Sequence, residues 1–405
     1  MYLHNIRLAV ALGAGVLSTS SAAAGTSISV PNLNTSEAAK FPGNGDKVAP
    51  KVFIFSMFGA EGTTWYDRPE INLLARNISV PCLSPLFPDV HCTEDGDVCQ
   101  VTLGEAEINA ASTVMAVVTS SLFDLTQCYF FIAGIAGVSP VHATTGSVAF
   151  ARYAVQGALA FEIDRRELPS NFTTSYFAQG TDFPDQYPTD LYGTEVFEVN
   201  ARLATLAAQF AGQATLDDSA DAQAYRANYK TADNRFEAAT MPPSVVECDV
   251  VTADVFYSGN FLSETFDNVT RLLTNGSGVY CTTVQEDNAS LEVLLRGAAA
   301  GLVDFSRIIV MHTASDFDRP FPGEDALFHL VSANQGALDS SIENLFLAGI
   351  KVVEGILNNW DKVFGPGVKP DNYVGDIFAT LGGNPDFGPG RKLALGETGV
   401  NPDDL

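Results

Sequence analysis

Three short runs in this chain are apolar without alternation: Lys51–Ser56 (KVFIFS), Cys128–Ala133 (CYFFIA) and Ile308–His312 (IIVMH). A strand with one wet face alternates apolar and polar side chains. A run without alternation is buried on both faces, as in a parallel sheet covered by helices. Stretches of helical composition separate the runs. Gly104–Phe123 (GEAEINAASTVMAVVTSSLF) is Ala-rich with helical spacing, Thr194–Ala239 and Asp325–Phe364 read as helices, and Ser290–Ala300 as one more. Further strands are expected at Ser147–Tyr153, Gly157–Ile163 and Val279–Gln285, and a strand-to-helix unit runs from Val245 (VVECDVVTADVF) to Leu273. Gly134-Ile135-Ala136-Gly137 reads as the turn closing the second run. Strands alternating with helices predict an α/β fold with a mixed, largely parallel sheet. There is no internal repeat and no clean linker, so residues 48–405 are expected to form a single domain.

The start of the chain reads as a secretory signal over residues 1–24. His4 and Arg7 begin it, Leu8 to Leu17 is an apolar stretch of about ten residues, and Ala22-Ala23-Ala24 offers a cleavage site. Residues 25–47, rich in Ser, Asn, Pro and Gly, read as a flexible leader. Six sequons, at Asn34, Asn77, Asn171, Asn268, Asn275 and Asn288, agree with export. The expected location is therefore secreted, or at the cell surface or wall. Six cysteines allow 15 pairings. Cys82, Cys92 and Cys99 share a Pro- and Asp-rich loop, where one local disulfide is expected; Cys128, beside an apolar run, reads as a core residue. After the signal no segment spans a membrane: the strongly apolar part of the longest uncharged stretch, Tyr129 to Val138, is far shorter than the roughly 20 residues needed.

The formal charge of −26, from 22 basic against 48 acidic residues, excludes nucleic acid and anionic membranes as partners, because both require basic patches. The chain contains no G-x-S-x-G, H-E-x-x-H or G-x-x-x-x-G-K motif. Its five histidines show no metal-ligand spacing. No metal and no cofactor are expected. A Ser-His-Asp triad assembled in space stays open.

Four segments, in order, resemble the nucleoside phosphorylase and nucleosidase superfamily, and the whole chain is similar to the fungal purine nucleoside permease family. The resemblance implies a three-layer α-β-α fold of the nucleoside phosphorylase type. The first segment is KVFIFSMFGAEGTTW, where Glu61 falls at the position of the acid that activates water in bacterial nucleosidases. The second is FIAGIAGV, which resembles the turn placed against phosphate and ribose; Gly134 and Gly137 would let the backbone approach a ligand. Phosphorolytic members carry an Arg two residues before the first Gly and a Ser after it. Here those positions are Ile132 and Ile135, which removes both phosphate ligands and leaves Arg68 as an alternative one.

The third segment, VVTADVFYSGNFLSETFDN, resembles the one carrying base-stacking aromatics, which implies Phe256 and Tyr257 as a platform for a purine. The fourth is paired. GVYCTTVQEDNASL resembles the turn whose Met-Glu grips the ribose hydroxyls, with Gln285 at the Met position and Glu286 at the Glu; Asn288 then lies beside the pocket with its sequon unused. RIIVMHTASDFDRP ends in Ser315-Asp316, where the superfamily carries a purine-contacting Asp. A buried Asp316 with a raised pKa can protonate the leaving base. Taken without the resemblance, Glu61 is equally a solvated turn carboxylate, Phe256 and Tyr257 are core residues, and Asp316 is an N-cap. Asp318 and Arg319 read as an ion pair.

The resemblance implies a purine nucleoside ligand and a secreted nucleosidase that cleaves the N-glycosidic bond by hydrolysis. Asp316 would be its acid, Glu61 its water base and Glu286 its ribose ligand. Two alternatives remain: a non-enzymatic nucleoside-binding protein that takes part in transmembrane uptake, and a phosphorolytic purine nucleoside phosphorylase. A homo-oligomer is left open.

Overall fold

Val52–Ser56 forms the first strand (β1), every residue of it buried. The structure, a computed structural model, describes residues 47–388. The expected signal, all of the expected leader but Lys47, Asn34, and the end of the Gly/Pro-rich tail lie outside the described residues. In chain order the next strands are Arg76–Ser79 (β2), Asp89–Cys92 (β3), Val98–Thr102 (β4), Tyr129–Val138 (β5), Val148–Ala151 (β6) and Tyr153–Gln156 (β7). Ala160–Glu162 (β8) and Tyr176–Ala178 (β9) make a separate small antiparallel sheet. Then come Val196–Glu198 (β10), Val245–Glu247 (β11), Asp249–Thr252 (β12), Tyr280–Val284 (β13), Ile308–Phe317 (β14) and Gly375–Asp376 (β15). The helices are Gly59–Thr63 (α1), Glu107–Val118 (α2), Ala201–Ala211 (α3), Ala220–Arg226 (α4), Asn260–Leu273 (α5), Asp287–Ala299 (α6), Ala326–Val331 (α7) and Leu338–Asn358 (α8).

The main sheet has 13 strands. β1 pairs in parallel with β4 on one side and β5 on the other, and β5 pairs in parallel with β14. Antiparallel ladders extend the edges through β3 and β2, and through β10 and β15. Strand β5 outruns β1, and its far end meets β13. β14 pairs on its second edge with β6, which continues after Arg152 as β7; β7 pairs with β12, and β12 with β13. The pairings β5–β14–β6/β7–β12–β13–β5 therefore form a closed circuit, so part of the sheet curls upon itself. The break at Arg152 has a local cause: the Asp249 carboxylate accepts from the N–H groups of Arg152 (3.0 Å) and Tyr153 (2.8 Å) on β7's edge and from Val279 (2.7 Å).

Alternation along the central strands feeds two cores. Phe53, Phe55, Phe130 and Ile132 pack with Val114, Leu291 and Leu294 of α2 and α6. Ile54, Tyr129 and Phe131 pack on the opposite face with Leu203, Leu345 and Val352 of α3 and α8. Helices thus cover both faces of an α/β sheet, the three-layer arrangement expected.

Two expected boundaries move. The Gly134–Gly137 segment is strand rather than turn, because β14 on one edge and β13 at the far end hold it in register. β14 likewise passes His312 and runs to Phe317, with a register shift between Ala314 and Asp316 that bulges Ser315 out of the ladder. The Thr194–Ala239 stretch contains β10 ahead of α3 and α4. Two disulfides form. Cys92–Cys99 joins facing residues of β3 and β4, and Cys248–Cys281 joins the β11–β12 junction to β13. Cys128 is a buried free thiol and Cys82 an exposed one.

Candidate functional site

Where the curled part of the sheet meets the loops after β1, β12 and β13, a cleft of about 650 Å³ opens, counting the space at its mouth. Of the residues singled out in the sequence, Glu61, Gly137, Phe256, Tyr257, Gln285, Glu286, Ser315 and Asp316 all line it. Gly134 does not.

Glu61 is the third residue of α1, two residues beyond the loop that leaves β1, and is 2% exposed. Its carboxylate folds back over that loop. Oε2 accepts from the N–H of Met57 at 2.6 Å and of Phe58 at 3.4 Å, and Oε1 accepts from Ile135 N–H on β5 at 2.7 Å. Gly134 makes the seat, because a Cβ there would stand 3.0 Å from Glu61 Oε1. Burial raises the Glu61 pKa to about 8, against the pull of these three donors.

Glu286 ends the loop after β13 as the N-cap of α6 and is also buried. Its Oε1 accepts from Ala106 N–H at 2.8 Å and its Oε2 from Gln285 N–H at 3.2 Å. Burial raises its pKa to about 7; the neighbouring Asp287 adds to the rise and His312 opposes it. Gln285 is held by its side-chain N–H on Asp254 O at 3.1 Å. Asp316 sits at the β14 bulge, half-buried, with its pKa raised by burial and drawn back by the Ser315 hydroxyl. Ser315 Oγ lies 2.7 Å from Asp316 Oδ1 and 3.1 Å from Ala136 O.

The two aromatics differ. Phe256 is 42% exposed at the rim, whereas Tyr257 is buried, packs on Phe266 with centroids 4.3 Å apart, and hydrogen-bonds Tyr280 OH at 3.0 Å. Tyr280 donates to Asp318 at 2.7 Å, and Asp318 is ion-paired to Arg319 at 2.9 Å. Gly137 has a structural reason as well: a Cβ there would lie 2.5 Å from Thr283 Oγ1.

Among the described residues five carboxyl groups line the cleft (Glu61, Glu105, Glu286, Asp316 and Asp318), and no Lys, Arg or His does so. Ile132 is in the core and Ile135 offers the cleft an apolar side chain. Arg68 lies elsewhere, forked onto Glu343 at 2.7 and 3.0 Å. Among the described residues no cluster of three or more His, Cys, Asp or Glu is arranged to hold a metal ion. Asn288 is buried and saturated: it accepts from Thr252 Oγ1 at 2.8 Å and donates to Thr194 O at 2.8 Å. Sequence reasoning missed Glu105 and Thr283. Thr283 had a signal, since it shares a face of its strand with Gln285 two residues on; Glu105 had none.

Residues 49–369 match the family model described as purine nucleoside permease. A purine nucleoside permease from Candida albicans is 45% identical over 345 residues, covering 84% of this chain and 83% of that protein. A probable purine nucleoside permease from Schizosaccharomyces pombe is 38% identical over 322 residues, 77% of this chain and 90% of its own. Among solved structures, the 5′-methylthioadenosine/S-adenosylhomocysteine nucleosidase of Neisseria meningitidis superposes with a TM-score of 0.43 and 13% identity, over 77% of this chain and 99% of that one. Futalosine hydrolase of Helicobacter pylori gives 0.44 and 12%, over 76% and 98%. Among the described residues no helix is long and apolar enough to cross a membrane.

Proposed function

This chain belongs to the purine nucleoside permease family, and from that premise and the cleft we propose that it binds purine nucleosides and hydrolyses their N-glycosidic bond. One observation carries the reading: three carboxyl groups with raised pKa values, Glu61, Glu286 and Asp316, line one cleft to which no basic side chain among the described residues contributes. Breaking a C1′–N9 bond builds positive charge on the ribose and negative charge on the departing purine. Acidic groups fit the first, and an acid holding a proton fits the second.

In the proposed reaction, Asp316 gives its proton to N7 of the purine as the C1′–N9 bond breaks. Glu61 takes a proton from water as the water oxygen bonds to C1′. The products are free purine and ribose. Glu286 accepts from the ribose hydroxyls, and Phe256 offers a face to the base. The Ser315 hydroxyl, 2.7 Å from Asp316 Oδ1 and 3.1 Å from Ala136 O, orients that carboxyl, and burial is what raises its pKa toward holding a proton. Hydrolysis is favoured over phosphorolysis because phosphate finds no cation among the described residues lining the cleft.

The test is to incubate purified protein with inosine, adenosine and guanosine, with and without phosphate, and to identify the sugar product. Ribose supports the reading; ribose 1-phosphate as the main product sinks the hydrolytic version, and full activity in Asp316→Asn sinks the site. The name of the relatives favours a second reading, nucleoside capture for a separate transporter, which tight binding without base release would support. Secretion belongs to the proposal too. Two disulfides suit an oxidising compartment.

A further inference from the structure

β14 loses its strand partner just before it delivers Asp316. Its pairing with β6 ends at Thr313–Val148, and Ser315 then bulges out. One residue past Asp316, two side chains take the place of the missing strand. Gln335 Oε1 accepts from Phe317 N–H at 2.8 Å, and His329 Nε2 lies 3.0 Å from Phe317 O, with Gln335 Nε2 beside the same ring nitrogen at 3.3 Å. A carbonyl only accepts, so the ring nitrogen facing it carries the proton.

The ring is itself held. His329 Nδ1 lies 3.0 Å from Glu324 Oε2 and 2.9 Å from Tyr225 OH, and Tyr225 OH donates to Glu324 at 2.7 Å. His329 and Gln335 are each 2% exposed. Gln335 and His329 thus hold the N–H and the C=O of one residue at the end of a strand, with Glu324 and Tyr225 holding the ring behind them. They leave its opposite edge paired to β5, where Phe317 faces Val138. Buried polar groups that do not line the cleft need a task, and the task visible here is to mimic a strand edge beside Asp316.

We propose that His329 and Gln335 are positioning residues for Asp316: by clamping Phe317 on its open edge they fix the exit of β14 after the bulge and hence the aim of the Asp316 carboxyl. The proposal rests on Asp316 acting on the purine. Neither residue lines the cleft, so loss of the clamp should lower kcat and leave KM nearly unchanged.

The experiment compares His329→Leu, His329→Gln and Gln335→Met by steady-state kinetics on inosine. A glutamine at 329 keeps a side-chain N–H where Nε2 was; leucine keeps volume only. The expected result is a kcat loss of about 30- to 100-fold for His329→Leu with KM within about threefold, and recovery to within about threefold of wild type in His329→Gln. Equal losses in the two variants, or no loss in either, overturn the proposal. If His329→Leu does not fold, Gln335→Met carries the comparison, and wild-type kcat there overturns it. If the wild-type protein releases no base, the hydrolase reading has failed by itself. Calorimetric binding of adenine then decides: about tenfold weaker binding in the Leu and Met variants, restored in His329→Gln, supports positioning, and equal affinities overturn it.

Discussion

Gly134 and Glu61 compete for one space: a Cβ on Gly134 would stand 3.0 Å from Glu61 Oε1 and 3.2 Å from Met57 Sδ. Gly134 lies inside β5 and is absent from the positive-φ glycines, so this contact, and not the backbone conformation, calls for glycine. Gly134→Ala should push the carboxylate off Ile135 N–H and out of its aim. The expected kcat is about 100-fold lower, because small misplacements of a reacting group are costly. Kinetics beside a calorimetric melting curve check it; wild-type kcat in a folded variant refutes the seating.

The ionised form of Glu61, which alone can take a proton from water, fills as pH rises through about 8. The rate of base release should therefore climb from mildly acidic pH toward that value. It should turn down only where Asp316, whose pKa is also raised, gives up the proton that it must donate. Glu61→Gln should remove the climb and leave a flat residual rate. A wild-type profile without a rising limb excludes Glu61 as the base.

Glu286 links pH to stability with the opposite slope from an ordinary salt-bridged acid. Its pKa goes from the ordinary value of about 4.5 to about 7 on folding, so between those values the folded state binds more proton than the unfolded chain. Its contribution is complete below about 4.5 and is lost as pH rises through about 7, a change of at most about 3 kcal/mol. Urea unfolding at several pH values should show stability declining across that window, and the decline should be shallower in Glu286→Gln. Identical slopes in the two proteins contradict the assignment.

Much of this arrangement can be read in the residues, and the remainder fails for identifiable reasons. KVFIFS and IIVMH declare themselves because strands buried on both faces need no partner information. FIAGIAGV misleads, since its glycines look like a turn. They are there because Glu61 from α1 and Thr283 from β13 crowd them. The bulge at Ser315 and the clamp on Phe317 leave no periodic trace, because both depend on where β6 ends. Cys248–Cys281 is one of the 15 pairs that six cysteines offer and becomes evident only when β12 and β13 lie side by side.

The cleft should refuse phosphorylated nucleosides. Among the described residues five carboxyl groups line it without one basic side chain, so a 5′-phosphate entering it would be desolvated near like charge and unpaired. Inosine 5′-monophosphate is expected to show a kcat/KM about 100-fold or more below that of inosine. Competition assays with the two compounds measure this. Comparable values would mean that a cation outside the described lining reaches the phosphate.

The two disulfides should contribute unequally, and the larger contribution should fall on the site. Cys92–Cys99 closes a separation of 7 residues between strands already paired, whereas Cys248–Cys281 closes 33. On loop-closure grounds the first stabilises by about 2 kcal/mol and the second by about 4 kcal/mol. The second also bears on the chemistry. Cys281 lies on β13, accepts from Ser139 N–H at 2.8 Å through its carbonyl, and stands four residues ahead of Gln285 on the strand that presents Glu286. Replacing both cysteines of the 248–281 pair by alanine should lower the urea midpoint more than the same change at 92 and 99, and only the first should also lower kcat. Equal midpoints and equal rates in the two double variants would show that β13 is held by its strand pairings alone.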